Sequence, residues 1–148
     1  MKQITILLFV LAFIGVKAQN RTPVEFQRAS NYFVKNTYRD APLKVLKFTD
    51  AKKFKAVFGM ATVMGKNGAP TPIDFSKQMV IAIIGSTTDA PTEFLPEKLE
   101  KNTKRMLFFE FETKIGEKST AQFRPALLIL VDKAYAPYKL QFSTHAVK

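Results

Sequence analysis

Beyond residue 18, two glycine-free six-residue segments of the chain contain no polar side chain. Residues 79–84 read Met-Val-Ile-Ala-Ile-Ile, and residues 126–131 read Ala-Leu-Leu-Ile-Leu-Val. Ser76-Lys77 and Gly85-Ser86 bound the first, and Arg124-Pro125 opens the second. Runs this short, closed by turn-formers, read as strands. Successive strand residues point to opposite sides, so a strand without polar positions is buried on both faces. The fold therefore has to cover a central strand from two directions.

The remaining strand signals alternate. Leu43, Val45 and Lys47 share one side of 43–48. Leu107, Phe109 and Phe111 share one face of 106–113, with Glu110 and Glu112 on the other. Tyr138, Leu140 and Phe142 repeat with a period of two. Residues 93–100 form a weaker strand, where Pro96 indicates an edge or a bulge because it has no N–H for a ladder. Turn chemistry separates these runs at 66–68, 87–91, 102–104 and 115–117. A helix is expected from a Thr49 or Asp50 cap through Phe58, with Phe54, Val57 and Phe58 as its buried stripe and Gly59 as its stop. Thr22-Pro23-Val24-Glu25 has the form of a second, shorter helix start, followed by a strand near 31–36. Strands in hairpin order with one good helix predict a β-dominated α+β domain: an antiparallel sheet or small sandwich with one or two short helices.

Residues 1–18 are read apart from that domain. Lys2 precedes an apolar run of 13 residues, 4–16, and Val16-Lys17-Ala18 places small or aliphatic side chains at −3 and −1. This is the pattern of a secretory signal cleaved before Gln19, and the run is too short to span a bilayer of about 30 Å as a helix. The expected product is one globular domain, 19–148, that is periplasmic or secreted and has no membrane span. The chain has no cysteine, so an exported domain depends on its core rather than on disulfides.

Composition narrows the chemistry. Without cysteine there is no thiolate metal site and no cysteine nucleophile. His145 is the single histidine, which excludes a two-histidine metal site and leaves any Ser/His/Asp triad dependent on a residue three positions from the terminus. Chain ends fray unless tied down, so His145 is a poor catalytic base. Glu110 and Glu112 read as the solvent face of an outer sheet, and Asp74 as a turn cap before Phe75-Ser76-Lys77. Gly65-Lys66-Asn67-Gly68 lacks Walker spacing and reads as a turn. Asn20-Arg21-Thr22 matches a glycosylation sequon beside the cleavage point. No catalytic residue, metal ligand set or cofactor is assigned.

Charge is uneven. Residues 19–77 hold eleven basic and four acidic groups, a net +7, whereas 78–148 hold ten and eight, a net +2. Lys44, Lys47, Lys52, Lys53, Lys55 and Lys66 form the basic part. It reads as a solvated face able to make weak contact with anionic surfaces. Export argues against nucleic acid as a partner. Loops on a rigid sheet commonly carry recognition, so the candidate binding residues are Lys66 and Asn67 in the 60–72 connection, Thr87, Thr88 and Asp89 in the 86–91 turn, and Arg124. Tyr135 and Tyr138 are possible aromatic anchors.

Phe48-Thr49-Asp50 opens a helix containing Phe54 and Phe58-Gly59, and Ile73-Asp74-Phe75-Ser76-Lys77 precedes Met79-Val80-Ile81-Ala82. Over roughly residues 44–142 this arrangement resembles the C-terminal domain of the protease complex subunit PrcB family, and related small exported proteins of unassigned function. The resemblance implies a non-catalytic exported module that assists or regulates a partner protein such as a protease. The chain departs from the family after the buried strand: Gly85 is followed by Ser-Thr-Thr-Asp-Ala-Pro instead of a glycine-rich turn with an aromatic residue. A binder of a small molecule or glycan is the alternative expectation. Intact mass of the protein recovered from the cell envelope is expected to begin at Gln19; retention of Met1 would overturn the signal assignment.

Overall fold

The two apolar segments lie side by side. The computed structural model describes residues 20–147, so the expected signal peptide and its cleavage point lie outside the described residues. In chain order the strands are β1 (Thr22–Pro23), β2 (Gln27–Ala29), β3 (Tyr32–Val34) and β4 (Lys44–Phe48). Helix α1 (Ala51–Val57) leads into β5 (Phe58–Met60), β6 (Gln78–Ile84), β7 (Thr92–Lys101) and β8 (Met106–Ile115). Strand β9 (Ala126–Asp132), a 3-10 turn at Lys133–Tyr135 and β10 (Lys139–Val147) complete the chain.

β6 and β9 pair antiparallel at the centre of a four-stranded sheet ordered β2-β9-β6-β4, with Met79 opposite Val131 and Ile83 opposite Leu127. Every residue from 79 to 84 is at most 2% exposed. Alternate side chains feed two separate cores. Met79, Ile81, Ile83, Leu127 and Ile129 meet a second sheet, ordered β1-β7-β8-β10, through its Phe94, Leu99, Leu107, Phe109 and Phe111. Val80, Ala82, Ile84, Leu128 and Leu130 meet α1 and the antiparallel β3–β5 ribbon through Val34, Phe54, Val57 and Phe58. The three layers are therefore sheet, central sheet, and a thin cover of helix and ribbon. The fold is the expected β-dominated α+β sandwich with one short α-helix.

α1 has only seven residues, too few to hold a helix alone. Asp50 caps it by accepting from Lys53 N at 2.9 Å. Packing supplies the rest. Phe54 stacks on Phe58 with ring centres 5.0 Å apart and meets Tyr32 and Phe48 edge-on at 5.4 and 5.7 Å. The bulge expected at Pro96 is present, as a register shift between Pro96 and Lys98.

Three expectations change. The helix start at residues 22–25 is absent. Thr22 and Pro23 pair with Lys101 and Glu100, and Val24, buried in the inter-sheet core, donates its N–H to Leu99 O at 2.8 Å. Sheet edges take these backbone groups, outweighing the local capping pattern. Gly59 does not stop the helix through a left-handed residue; it lies in β5 opposite Phe33, whose ring covers it so closely that a Cβ would sit 2.4 Å from Cζ. The last strand is parallel, with Leu140 opposite Leu107. Between β8 and β10 the chain crosses to the central sheet as β9, so it returns in the direction of β8.

Lys47 is the fourth difference. Its alternation with Val45 holds, so it lies on the inner side of β4 and not on the solvated basic face. Its Nζ donates to the carbonyls of Ala136 and Tyr138, each at 2.6 Å, which ties the β9–β10 crossover to the central sheet. Burial pushes its pKa below the ordinary lysine value. Lys47→Met keeps the stem and removes both bonds; it is expected to cost about 1–3 kcal/mol in urea unfolding. The exposed Lys44→Met in the same strand should cost under about 0.5 kcal/mol. Equal losses would show that the crossover does not depend on Lys47.

Candidate functional site

Between α1, the β3–β5 ribbon and the residues leading to β6 lies a cleft of about 740 Å³. Tyr32, Phe54, Phe58, Ile73 and Phe75 supply its apolar walls, and Lys35 and Lys55 stand at its border.

Local chemistry holds each wall. Asn31 adopts a positive φ of 65°, and its Nδ2 donates to the carbonyls of Asn67 and Ala69 at 2.7 and 2.9 Å. Ser30 N donates to Thr71 Oγ1, and Thr71 N returns a bond to Ser30 O. Tyr32 donates its hydroxyl to Thr71 O at 2.7 Å, and burial raises its pKa. One side of the cleft is thus the 61–71 connection fastened to the turn between β2 and β3. Within that connection Gly68 is required by close approach, since a Cβ would lie 1.7 Å from Val63 O.

The opposite lip is the Asp74 turn. Asp74 Oδ1 accepts from Ser76 N at 2.9 Å and Ser76 Oγ at 2.5 Å, which holds its carboxyl below the usual carboxylate range. Lys133 Nζ donates to Phe75 O, and the Phe75 ring lies 5.5 Å from that of Phe54. Asp74 is a turn cap, as its sequence context indicates. Lys35 Nζ closes the far end by donating to Lys55 O at the last turn of α1.

Met60 lines the cleft and is 66% exposed, so an apolar side chain is presented to solvent there. Lys52, Lys53 and Lys55 project from α1 into solvent.

The residues singled out in the sequence fall in two places. Lys66 and Asn67 sit at the tip of the 61–71 connection, Asn67 with a φ of 64° and its carbonyl engaged by Asn31. Thr87, Thr88, Asp89 and Arg124 gather at the Ile84 end of β6, whereas α1 follows β4 at the Val80 end. Arg124 donates to Tyr38 O at 2.6 Å and Arg39 O at 2.9 Å. Its Nε is buried without a hydrogen bond, 3.9 Å from Asp40 Oδ1. Asp40 accepts from Thr87 N at 3.1 Å, Thr88 bridges to Phe123, and Asp89 pairs with Lys118 at 3.4 Å. This second group knots the 38–41, 86–91 and 117–124 segments together. Among the described residues no hydrogen bond joins it to the 61–71 connection. Tyr135 and Tyr138 pack edge-on to each other at the 3-10 turn, part-buried against the inter-sheet core.

The cleft was missed in the sequence because its aromatic walls carry the same helical and alternating pattern as core residues. Comparison with protein-family models, with curated proteins and with solved structures finds no match.

The Asp40 knot has a pH signature. The Thr87 backbone N–H holds the Asp40 carboxyl below its usual range, and the Arg124 charge adds to the effect. Stabilisation by the carboxylate is then complete above the ordinary aspartate value of about 3.9 and disappears as pH falls through the lower folded-state value. Asp40→Asn is expected to lower the melting temperature at neutral pH and to match the parent in strong acid. A deficit that persists unchanged in acid would assign the loss to something other than the carboxylate charge.

Proposed function

We propose that the chain is an exported, non-enzymatic binding protein that docks an apolar, acid-bearing segment of a partner protein in the cleft beside α1. The observation that carries this reading is the cleft itself: about 740 Å³ with mainly apolar walls that include the exposed Met60. Methionine side chains adapt to irregular partners, which suits a surface that receives a segment rather than a rigid small molecule. Lys35 and Lys55 supply a positive border for acidic residues of that segment, and with the exposed Lys52 they allow weak contact with anionic surfaces.

The resemblance to the PrcB C-terminal domain supports an accessory role, because its Phe48–Asp50, Phe54, Phe58-Gly59 and 73–77 residues build or adjoin this cleft. A partner in the envelope or outside the cell fits the expected signal peptide. Among the described residues no helix is long and apolar enough to cross a membrane. The reading requires no cofactor and no nucleic acid. The volume also supports a second reading, an amphiphilic small molecule, because small-ligand pockets span roughly 300–1,000 Å³.

Site-specific photocrosslinking discriminates these. A photoreactive residue at Met60 or Pro70, both of which line the cleft, is expected to give one discrete protein adduct in envelope fractions. Lys52→Glu combined with Lys55→Glu should suppress it, and the same probe at the exposed Lys118 should not give it. Adducts of equal yield at all three positions would sink the partner reading. A retained lipid-sized molecule in native mass spectrometry, without a protein adduct, would select the small-molecule reading.

A further inference from the structure

The outer face of the second sheet, away from the cleft, carries most of its carboxylates. Three of the five are paired with arginine or lysine. Glu93 pairs with Arg28 at 3.5 Å, Glu100 with Arg21 at 3.7 Å, and Glu110 with Arg21 and Lys98 at 3.9 and 3.1 Å. Glu97 and Glu112 have no lysine or arginine ion pair among the described residues, in a chain of net charge +11. Instead they converge on the single histidine. One donor atom each from Glu97, Glu112 and His145 lies within 4.8 Å of the other two, and His145 Nδ1 is already 3.6 Å from Glu97 Oε2.

Two irregularities of the fold create this convergence. Pro96 aligns with Phe111 and Lys98 with Glu110, so Glu97 is the extra residue of the bulge. Phe94 and Leu99 both point into the core, which leaves Glu97 and Lys98 together on the outer side. Bulges characteristically re-aim a side chain in this way. The parallel return of β10 then sets His145 directly opposite Glu112. Three adjacent strands, β7, β8 and β10, each contribute one ligand-type side chain, and His145 lies in a paired strand, not in a frayed tail.

We infer that Glu97, Glu112 and His145 form a binding site for a divalent transition-metal cation of the zinc type. Two carboxylate oxygens and an imidazole nitrogen are a borderline donor set, which favours zinc over magnesium or calcium. Metal–ligand distances of about 2.0–2.2 Å in a tetrahedral arrangement require donors about 3.3 Å apart. Rotation of exposed side chains closes the present separations, since the His145 and Glu97 side chains are 58% and 39% exposed. Three protein ligands leave a coordination position to water. The bound ion would staple β10, the sheet's edge strand, to β7 and β8.

Zinc titration of the untagged protein at about pH 7.5 tests this. Calorimetry is expected to give one saturable site per chain and a higher melting temperature. Because the chain has one histidine, its imidazole NMR signals report directly on that residue and should shift or broaden with the same saturation. Glu97→Gln and His145→Ala should each weaken binding on the order of tenfold or more, while Glu93→Gln on the same face should not. Imidazole signals unmoved by saturating zinc in the parent protein would overturn the site even if the variants misfold. Parent-like affinity in either Glu97→Gln or His145→Ala would also overturn it.

Discussion

Burial of the β6–β9 pair on both faces is the constraint from which the rest of the architecture follows. Each fully buried Ile, Leu, Val or Met contributes about 1.5–3 kcal/mol of gross transfer free energy. The run from Met79 to Ile84 spends none of its positions on solvent. One covering layer would leave half of these side chains in water. The chain therefore builds two covers of different kinds: a four-stranded sheet with a phenylalanine-rich inner face, and a short helix with a two-stranded ribbon. Without cysteine, no disulfide helps to hold the layers together.

The connections between layers are secured by polar groups that reach backbone carbonyls. Lys47 ties down the β9–β10 crossover, Lys133 the turn at Phe75, and Arg124 the 38–39 segment. Each carries a charge that neighbouring carbonyl dipoles stabilise, and charged donors make the stronger hydrogen bonds. The basic residues therefore divide into two groups with different work. Lys52, Lys53 and Lys55 stay in solvent. Lys47, Lys133 and Arg124 act as internal fasteners, and their removal would loosen loops before it altered the cores.

Most of the fold was legible because its signals are short-range. The unbroken apolar runs, the alternation of Leu107, Phe109 and Phe111, the Asp50 cap and the bulge at Pro96 all arise within a few residues of chain. What was illegible depends on distant partners. Thr22-Pro23-Val24-Glu25 carries a sound helix-start pattern that loses to pairing with Lys101 and Glu100 far along the chain. The parallel direction of β10 depends on β9 belonging to the other sheet. Candidate residues were harder still. Arg124, Thr87 and Asp89 looked available because polar loop residues usually are, yet each is engaged within the chain. The walls of the cleft looked like core for the opposite reason.

The misreading of the cleft walls has its cause in the make-up of the outer cover. A seven-residue helix and two three-residue strands lie over a sheet whose central strands each have seven residues. The cover shields Val80, Ala82 and Leu128 and keeps Phe54 and Phe58 at 4% and 2% exposure, but Tyr32, Ile73 and Phe75 stay part-exposed and Met60 is 66% exposed, without a further layer over them. Phe54 and Phe58 are core toward the sheet and cleft wall toward solvent. A partner segment in the cleft would supply that further layer, gaining about 25 cal/mol for each Å² of apolar surface it removes from water. The demand that placed a helix and ribbon over the central sheet thus continues outward, and the cleft is where the chain itself stops meeting it.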